Sequence, residues 1–507
     1  MNRLRPVAVF LSLGALAALG YVPFGSDGDA QANASAGFKF ANITQQAGFV
    51  SLRDLGGHGV QAADVTGDGF DDIYVTNISD PHQDRRELFF VNRGDGTFRE
   101  QAIEAGIEDD GFFAGEGEES HAAVFADFDN DGDYDLFNAH TWTNRDRIYR
   151  NDGGGRFVDL TESAGIQIVE KDSRGVAAGD INGDGRVDIV LSAWEGRPQV
   201  AYINRGSFHF LRRDNLGIDK RELSNQGIML TDYDADGDLD FASTGWFALD
   251  LPLGPIALYQ NRGTGVFTEV TEESGITFKE NVPGNGWAFG DVDNDGDLDA
   301  LVVGQDKAKL YLNGGGGKFQ FAQDFSRGHF TAGLGDLDHD GDLDIYFAGN
   351  QAIFENNGKG FFKRVPVAGL TGVGANPRAV SLVDIDNDGD LDFAVASKRG
   401  PNTMFRNNLN DDNWLQVELR SPRGEAGAFG ARVYVYDAGH LDDPKRLKGL
   451  REAQSANGYC AQNSPVLHFG LKAGASYDLE VRFLDGTTVT RPGVQTTQRI
   501  LVDGRNP

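Results

Sequence analysis

One nine-residue pattern, D-x-D-x-D-G-x-x-D, recurs seven times in this chain and constrains its fold more than any other feature. The copies occupy residues 64–72 (DVTGDGFDD), 127–135 (DFDNDGDYD), 180–188 (DINGDGRVD), 232–240 (DYDADGDLD), 291–299 (DVDNDGDLD), 336–344 (DLDHDGDLD) and 384–392 (DIDNDGDLD). Successive copies begin 63, 53, 52, 59, 45 and 48 residues apart, which is the length of a four-stranded unit. A short apolar stretch precedes each copy, such as residues 122–126 (AAVFA), and a β-rich one follows, such as residues 73–75 (IYV). Most units then add an Asn, a Gly-rich turn and a Phe, as at 92–98, 151–157, 261–267 and 356–362. Each unit therefore reads strand, acidic loop, strand, longer loop, strand, Gly turn, strand. Seven such units predict an all-β chain built as a seven-bladed β-propeller, whose radial blades leave only short edges.

The ends of the repeat array predict how the ring closes. Residues 40–48 (FANITQQAG) match the blade-ending segment 157–165 (FVDLTESAG), yet they precede the first acidic loop. The seventh unit, ending near Asn408, lacks such a segment. The N-terminal strand is thus expected to complete the seventh blade of a propeller spanning residues 38–408. Residues 409–507 carry 12 Lys/Arg and 12 Asp/Glu, so the formal charge of −31 lies entirely upstream, and a separate small β-sandwich-like domain is expected there.

The acidic loops have the chemistry of a Ca²⁺ site. Carboxylates at positions 1, 3, 5 and 9, with a backbone carbonyl at position 7, supply hard oxygens, and Gly at position 6 permits the sharp turn. The ligand sets are Asp64, Thr66, Asp68 and Asp72; Asp127, Asp129, Asp131 and Asp135; Asp180, Asn182, Asp184 and Asp188; and Asp232, Asp234, Asp236 and Asp240. They continue with Asp291, Asp293, Asp295 and Asp299; Asp336, Asp338, Asp340 and Asp344; and Asp384, Asp386, Asp388 and Asp392. Position 9 closes the loop where an EF-hand uses position 12, and the flanks are strands, so no helix pair is expected to open. Asp-Gly clusters also form turns without metal, but a turn does not need the Asp at position 9. The first loop has Thr66 at position 3, and the third has Asn182 there and Arg186 at position 7, so weaker binding is expected at both. The loops hold 32 of the 77 acidic residues, and seven Ca²⁺ would bring −31 to about −17. Identical sites in every blade point to a structural role.

These loops and Asn-Gly-Phe turns resemble the FG-GAP (VCBS-type) repeats of integrin α-type propellers. The tail motifs at 413–415 (NWL), 430–433 (GARV), 467–471 (LHFGL) and 483–486 (FLDG) are similar to the ASPIC/UnbV domain. Together they resemble the cartilage-acidic-protein-like family of exported proteins, a likeness that implies architecture more than activity. That family usually carries a Trp-Pro-x-Gly turn where this chain has residues 483–486, so no role resting on that Trp carries over.

Export is also expected from residues 1–36. Arg3 and Arg5 precede an apolar run at 7–19, too short to span a bilayer comfortably, and A-x-A triplets follow at 30–36, predicting a mature chain that begins near Gly37. An uncleaved anchor is the alternative. The excess of acid argues against a nucleic-acid partner or an anionic membrane surface. The single Cys460 cannot form an internal disulfide and is expected as a buried small residue.

A ligand site is expected opposite the acidic loops. Counting six residues back from each loop gives His58, His121, Arg174, Gln226, Asn285, Phe330 and Arg378, a largely polar ring around the channel's far mouth. Trp142, Trp194 and Trp246 fall at matching positions after the second strands of units two to four, with His140 nearby. Trp over a polar ring suits a glycan, although these Trp would equally serve as wedges between blades. The reading adopted is an exported, calcium-binding, non-catalytic binding or adhesion module for a carbohydrate or extracellular protein. Two rivals are a carbohydrate-active lyase or dehydratase using His58, His121 or His140 as acid/base, and a scaffold whose tail docks a partner.

Overall fold

The computed structural model describes residues 37–50, 56–77, 87–107, 120–141, 146–166, 173–193, 199–218, 225–245, 256–278, 284–326 and 331–506. Seven sheets follow one another along the chain; six repeats each supply four antiparallel strands and the seventh supplies three. In the second, Ser120–Ala126, Asp135–His140, Arg147–Asn151 and Phe157–Asp159 pair in sequence order, and the acidic loop joins the first two. The first strands of successive sheets are neighbours, and those of the first and seventh also meet, so the sheets form a ring.

The ring closes as the sequence predicts. Ala41–Asn42 pairs antiparallel with Thr403–Arg406, in the register Ala41 opposite Arg406, and completes the seventh sheet. The turn that follows repeats that of the second blade. The Ala47 N–H donates to the Ile43 carbonyl at 2.7 Å, and Ala164 to Leu160 at the same distance. In each case the turn then accepts a bond from the next blade, Phe98 N–H to the Ala47 carbonyl at 2.7 Å and Phe210 to Ala164 at 2.8 Å.

The Asn of the Asn-Gly turn explains why that signal recurs. Its backbone N–H donates to the position 9 carboxylate of its own loop, at 2.7–2.9 Å for Asn92, Asn151, Asn204, Asn261, Asn313, Asn356 and Asn407. Its side-chain amide donates to the position 2 carbonyl of the preceding blade's loop, as Asn151 to Val65 at 2.8 Å and Asn313 to Tyr233 at 3.0 Å. Asn92 reaches Ile385 of the seventh blade at 2.8 Å, so the stitching runs around the whole ring. Every stitched group is a backbone carbonyl, which needs a donor once it is away from water.

Residues beyond the propeller form two further sheets. Leu467–Gly470, Trp414–Arg420 and Gln498–Asp503 make one; Leu447–Glu452, Arg432–Asp437, Ser476–Arg482 and Thr488–Gln495 make the other. Both contribute to a single apolar core that includes Leu415, Val417, Val433, Leu479, Val481 and Phe469. Phe483, at the turn formed by residues 483–486, is buried in this core. No helix among the described residues is long and apolar enough to cross a membrane.

Candidate metal centres and the filled channel

Each acidic loop is wound around its first aspartate. In the fifth, Asp291 accepts the Asp295 and Gly296 N–H groups, both at 3.1 Å. The same pair of bonds forms at Asp127, Asp232 and Asp384. The sharp turn needs a left-handed residue at position 6, and Gly296 supplies it with φ 95°. Val292 and Leu298, at positions 2 and 8, are buried and pin the loop to the blade core.

Position 3 carries the most informative atom. In all five complete loops one oxygen of its carboxylate, on Asp129, Asp234, Asp293, Asp338 and Asp386, is buried with no hydrogen-bond partner among the described residues. In the first loop the Thr66 hydroxyl is in the same condition. A buried carboxylate oxygen left unpaired costs several kcal/mol unless a cation meets it. Carboxylate oxygens of Asp127, Asp129 and Asp135 lie within 4.8 Å of one another. So do those of Asp232, Asp234 and Asp236, of Asp291, Asp293 and Asp295, and of Asp336, Asp338 and Asp340. Clusters of this kind are consistent with Ca²⁺ sites, whose ligands are hard oxygens.

The third loop is built differently. Arg186 pairs with Asp184, and the Asn182 amide donates to Asp188 at 2.8 Å. These partners set a cation and an amide from the loop itself on two of its carboxylates.

Burial and mutual repulsion raise the carboxylates, burial first. Asp72 and Asp188 are pushed up to about 8, Asp299 to about 9, and Asp291 and Asp384 to about 7. The clustered acids therefore favour either protons or a counter-ion.

The tail supplies part of that counter-charge, because it sits on the loop face. The Arg499 guanidinium donates to the Gly69 carbonyl at 3.1 Å, and Arg432 lies 3.6 Å from Asp232. Arg420 and Arg423 pack at Gly132 and Gly185, and Arg451 faces Asp291 and Asp336. Neutral donors complete the contact: Ala426 N–H to Asp127 at 3.0 Å, Gly470 N–H to Asp336 at 2.9 Å and Gln416 to Asp384 at 2.6 Å. Every one of the seven loops is touched.

Sequence reasoning did not anticipate that the tail also fills the central channel. Residues 453–463 enter it from the loop face and bond to inner strands all round. The Gln462 amide pairs with the Phe125 N–H and carbonyl, both at 2.8 Å; Asn457 donates to the Val380 carbonyl at 3.2 Å; Ser455 accepts from Ala178 N–H at 2.9 Å. Ala461–Gln462 adds a parallel strand to the first blade beside Val60 and Gln61. Gly286 is required at the point of closest approach, where a Cβ would lie 2.5 Å from the Gly458 carbonyl carbon.

The ring of polar residues is found at the far end of this plug. Register shifts between Ser120 and Ala122, Ser173 and Val176, Asn225 and Ile228, Gly284 and Gly286, and Pro377 and Ala379 mark β-bulges that hold His121, Arg174, Gln226, Asn285 and Arg378. A bulge re-aims a side chain out of the alternating pattern. His58, His121, Arg174, Gln226 and Asn285 are buried, and Arg378 is half-buried. His140 is buried on the second strand of its blade, with Nδ1 at 3.2 Å from the Asn138 carbonyl. Trp142, Trp194, Trp246 and Phe330 lie outside the described residues, as do residues 1–36.

The fold and the loops together define a β-propeller with acidic loops of the cation-binding type on one face and a β domain docked on them. Family models agree: FG-GAP-like repeats match at 64–137, 127–191, 181–243, 232–302, 291–347 and 336–395, and an ASPIC and UnbV domain at 421–506. The chain belongs to the FG-GAP-like repeat family. It is distantly similar to cartilage acidic protein 1 of Mus musculus and of Homo sapiens, 26% identical to each over 468 residues that cover 86% of this chain. The chain spans about half the length of these relatives, 52% and 51%. Among solved structures it resembles an Agrocybe aegerita lectin described by its recognition of non-reducing terminal N-acetylglucosamine (TM-score 0.41, 16% identity, 74% of this chain and 94% of that one). It also resembles the Dos1 propeller (TM-score 0.40, 12% identity, 73% and 85%).

Proposed function

We propose that this chain is an exported, calcium-stabilised, non-catalytic binding or adhesion module, with a signal at 1–36, a propeller at 38–408 and the tail at 409–507. One observation carries the reading: the tail occupies the loop face and the channel, so the face away from the tail is the one left for a ligand. The histidines that a lyase or dehydratase would use are buried. His58 and His121 are 3% and 1% exposed, and burial holds both well below the usual imidazole range. Calcium is supported by the partnerless position 3 oxygens, and Asp at positions 1, 3, 5 and 9 would hold it. Bound Ca²⁺ would supply the positive charge that these loops lack.

The loops differ in what removal of one carboxylate does. Asp295→Ala, in a complete loop, is expected to abolish one tight calcium-binding event in a calorimetric titration. Asp184→Ala strikes the loop already satisfied by Arg186 and Asn182, and should leave the tight events unchanged. Equal losses would show that carboxylate count does not rank the sites.

For the ligand we favour a glycan, because Trp142, Trp194 and Trp246 recur at matching positions and an aromatic face suits a sugar ring. A glycan array probed with the wild-type chain and with Trp194→Ala tests this. The expected result is binding lost in the variant, with calcium-dependent melting unchanged. A Trp194→Ala variant destabilised by about 3–5 kcal/mol instead identifies Trp194 as a wedge between blades and removes it from recognition. Turnover of an array hit that depends on His121 or His140 would favour the lyase reading.

A further inference from the structure

The plug brings the chain's one cysteine to two of the ring histidines. One ligand atom each from His58, His121 and Cys460 lies within 4.8 Å of the other two, and all three residues are buried. Cys460 Sγ is 3.2 Å from His121 Nδ1, and the rings of His58 and His121 are 4.1 Å apart. Tyr459 closes the group, its hydroxyl 3.1 Å from His58 Nε2. We propose that this cluster is a second kind of metal site, holding one thiophilic transition-metal ion of the copper–zinc class between the propeller and the tail.

Three features of the site support the assignment. The donor set is two imidazoles and one thiol, which suits copper or zinc and not the hard Ca²⁺ of the acidic loops. Each histidine has Nδ1 at a backbone carbonyl, His58 at His121 O (3.3 Å) and His121 at Arg174 O (2.6 Å). An Nδ1–H donated in that direction orients each ring, and an entering ion would take the place of the Tyr459 hydroxyl at His58 Nε2. Cys460 has φ 53°, a left-handed backbone that a non-glycine residue adopts at a cost, and this conformation presents its thiol at the histidines.

Binding would release the thiol proton to solvent and leave a metal-bound thiolate. Two ligands come from blades one and two and the third from the tail. The ion would therefore cross-link the plug to the channel, and entry would accompany docking of the tail.

The full chain, saturated with Ca²⁺ so that the acidic loops are filled, is incubated anaerobically with Cu⁺ and separately with Zn²⁺, passed through a desalting column and assayed for retained metal. The expected result is one equivalent of at least one of these ions in the wild type. Retention should fall at least tenfold in Cys460→Ser and in His58→Gln, and stay unchanged in His440→Gln, an exposed control. A Co²⁺-loaded wild type should show a sulfur-to-metal charge-transfer band, a readout that needs no variant to fold. No retained copper or zinc in the wild type, retention equal in Cys460→Ser and wild type, or a Co²⁺ form without the sulfur band would each overturn the proposal.

Discussion

Chelation of Ca²⁺ is expected to lower the melting temperature of this chain by well over about 10 °C, read by calorimetry or circular dichroism with and without a chelator. A ligand that binds only the native state stabilises it by about 2.7 kcal/mol per site at a hundredfold excess over Kd. Losing the five complete sites, about 13.5 kcal/mol in all, is worth more than about 10 °C in a domain of this size at about 2.1 cal/mol/K per residue. The effect should exceed that of filling an isolated loop, because the tail rests on the loops. Ala426, Gly470 and Gln416 bond to the position 1 aspartates of three of them, and an unneutralised carboxylate cluster would repel its neighbours under the tail. A chelated chain that melts within a degree or two of the calcium form would mean that the loops hold themselves together without an ion.

The pH dependence should change sign with the ion. In the metal-free chain, Asp72, Asp188, Asp291, Asp299 and Asp384 have folded values of about 7 to 9, above the ordinary 3.8. A carboxyl raised on folding binds its proton more tightly in the native state. Its contribution to stability is full below about pH 4 and is lost as pH rises through the folded value. The chelated chain is therefore expected to lose several kcal/mol between about pH 5 and pH 9, with its melting temperature falling throughout. With saturating Ca²⁺ the same carboxylates must shed their protons to bind the ion, so stability should hold or rise over that window. Parallel melting series in chelator and in Ca²⁺ make the comparison. A falling curve in both would show that protons, not calcium, neutralise the loops.

Much of the architecture was legible because it repeats. The nine-residue pattern carries both the turn, through Gly at position 6, and the anchoring, through apolar residues such as Val292 and Leu298, so seven copies specify seven equivalent hairpins. Residues 40–48 gave away the closure by matching a blade end that the seventh unit lacks. The conserved-looking Asn of each turn was visible, but not its purpose. A side chain that bonds the preceding blade's backbone leaves no mark beyond its own recurrence.

The plug was missed for the opposite reason. Residues 453–463 occur once, have no period, and bond largely to backbone groups of inner strands that any sequence would present. A faint signal existed in the glycines that follow the ring residues, Gly175, Gly227 and Gly286, since a glycine inside a strand marks close approach of another backbone. At Gly286 that backbone is the tail's own Gly458. The count of six residues back lands on a β-bulge in five blades, because those bulges fall at a constant distance from the loops. It could not show that Tyr459 and Cys460 would meet His58 and His121 there.

The most direct test of the central claim, that these loops are calcium sites, is a calorimetric titration of the chelator-stripped full chain with Ca²⁺, the bound ion counted independently by elemental analysis. Five complete loops, each with a buried position 3 oxygen awaiting a partner, predict at least five tight equivalents per chain. Fewer than five, or no loss of one equivalent when Asp291 and Asp295 are both replaced by Asn in the fifth loop, would contradict the account.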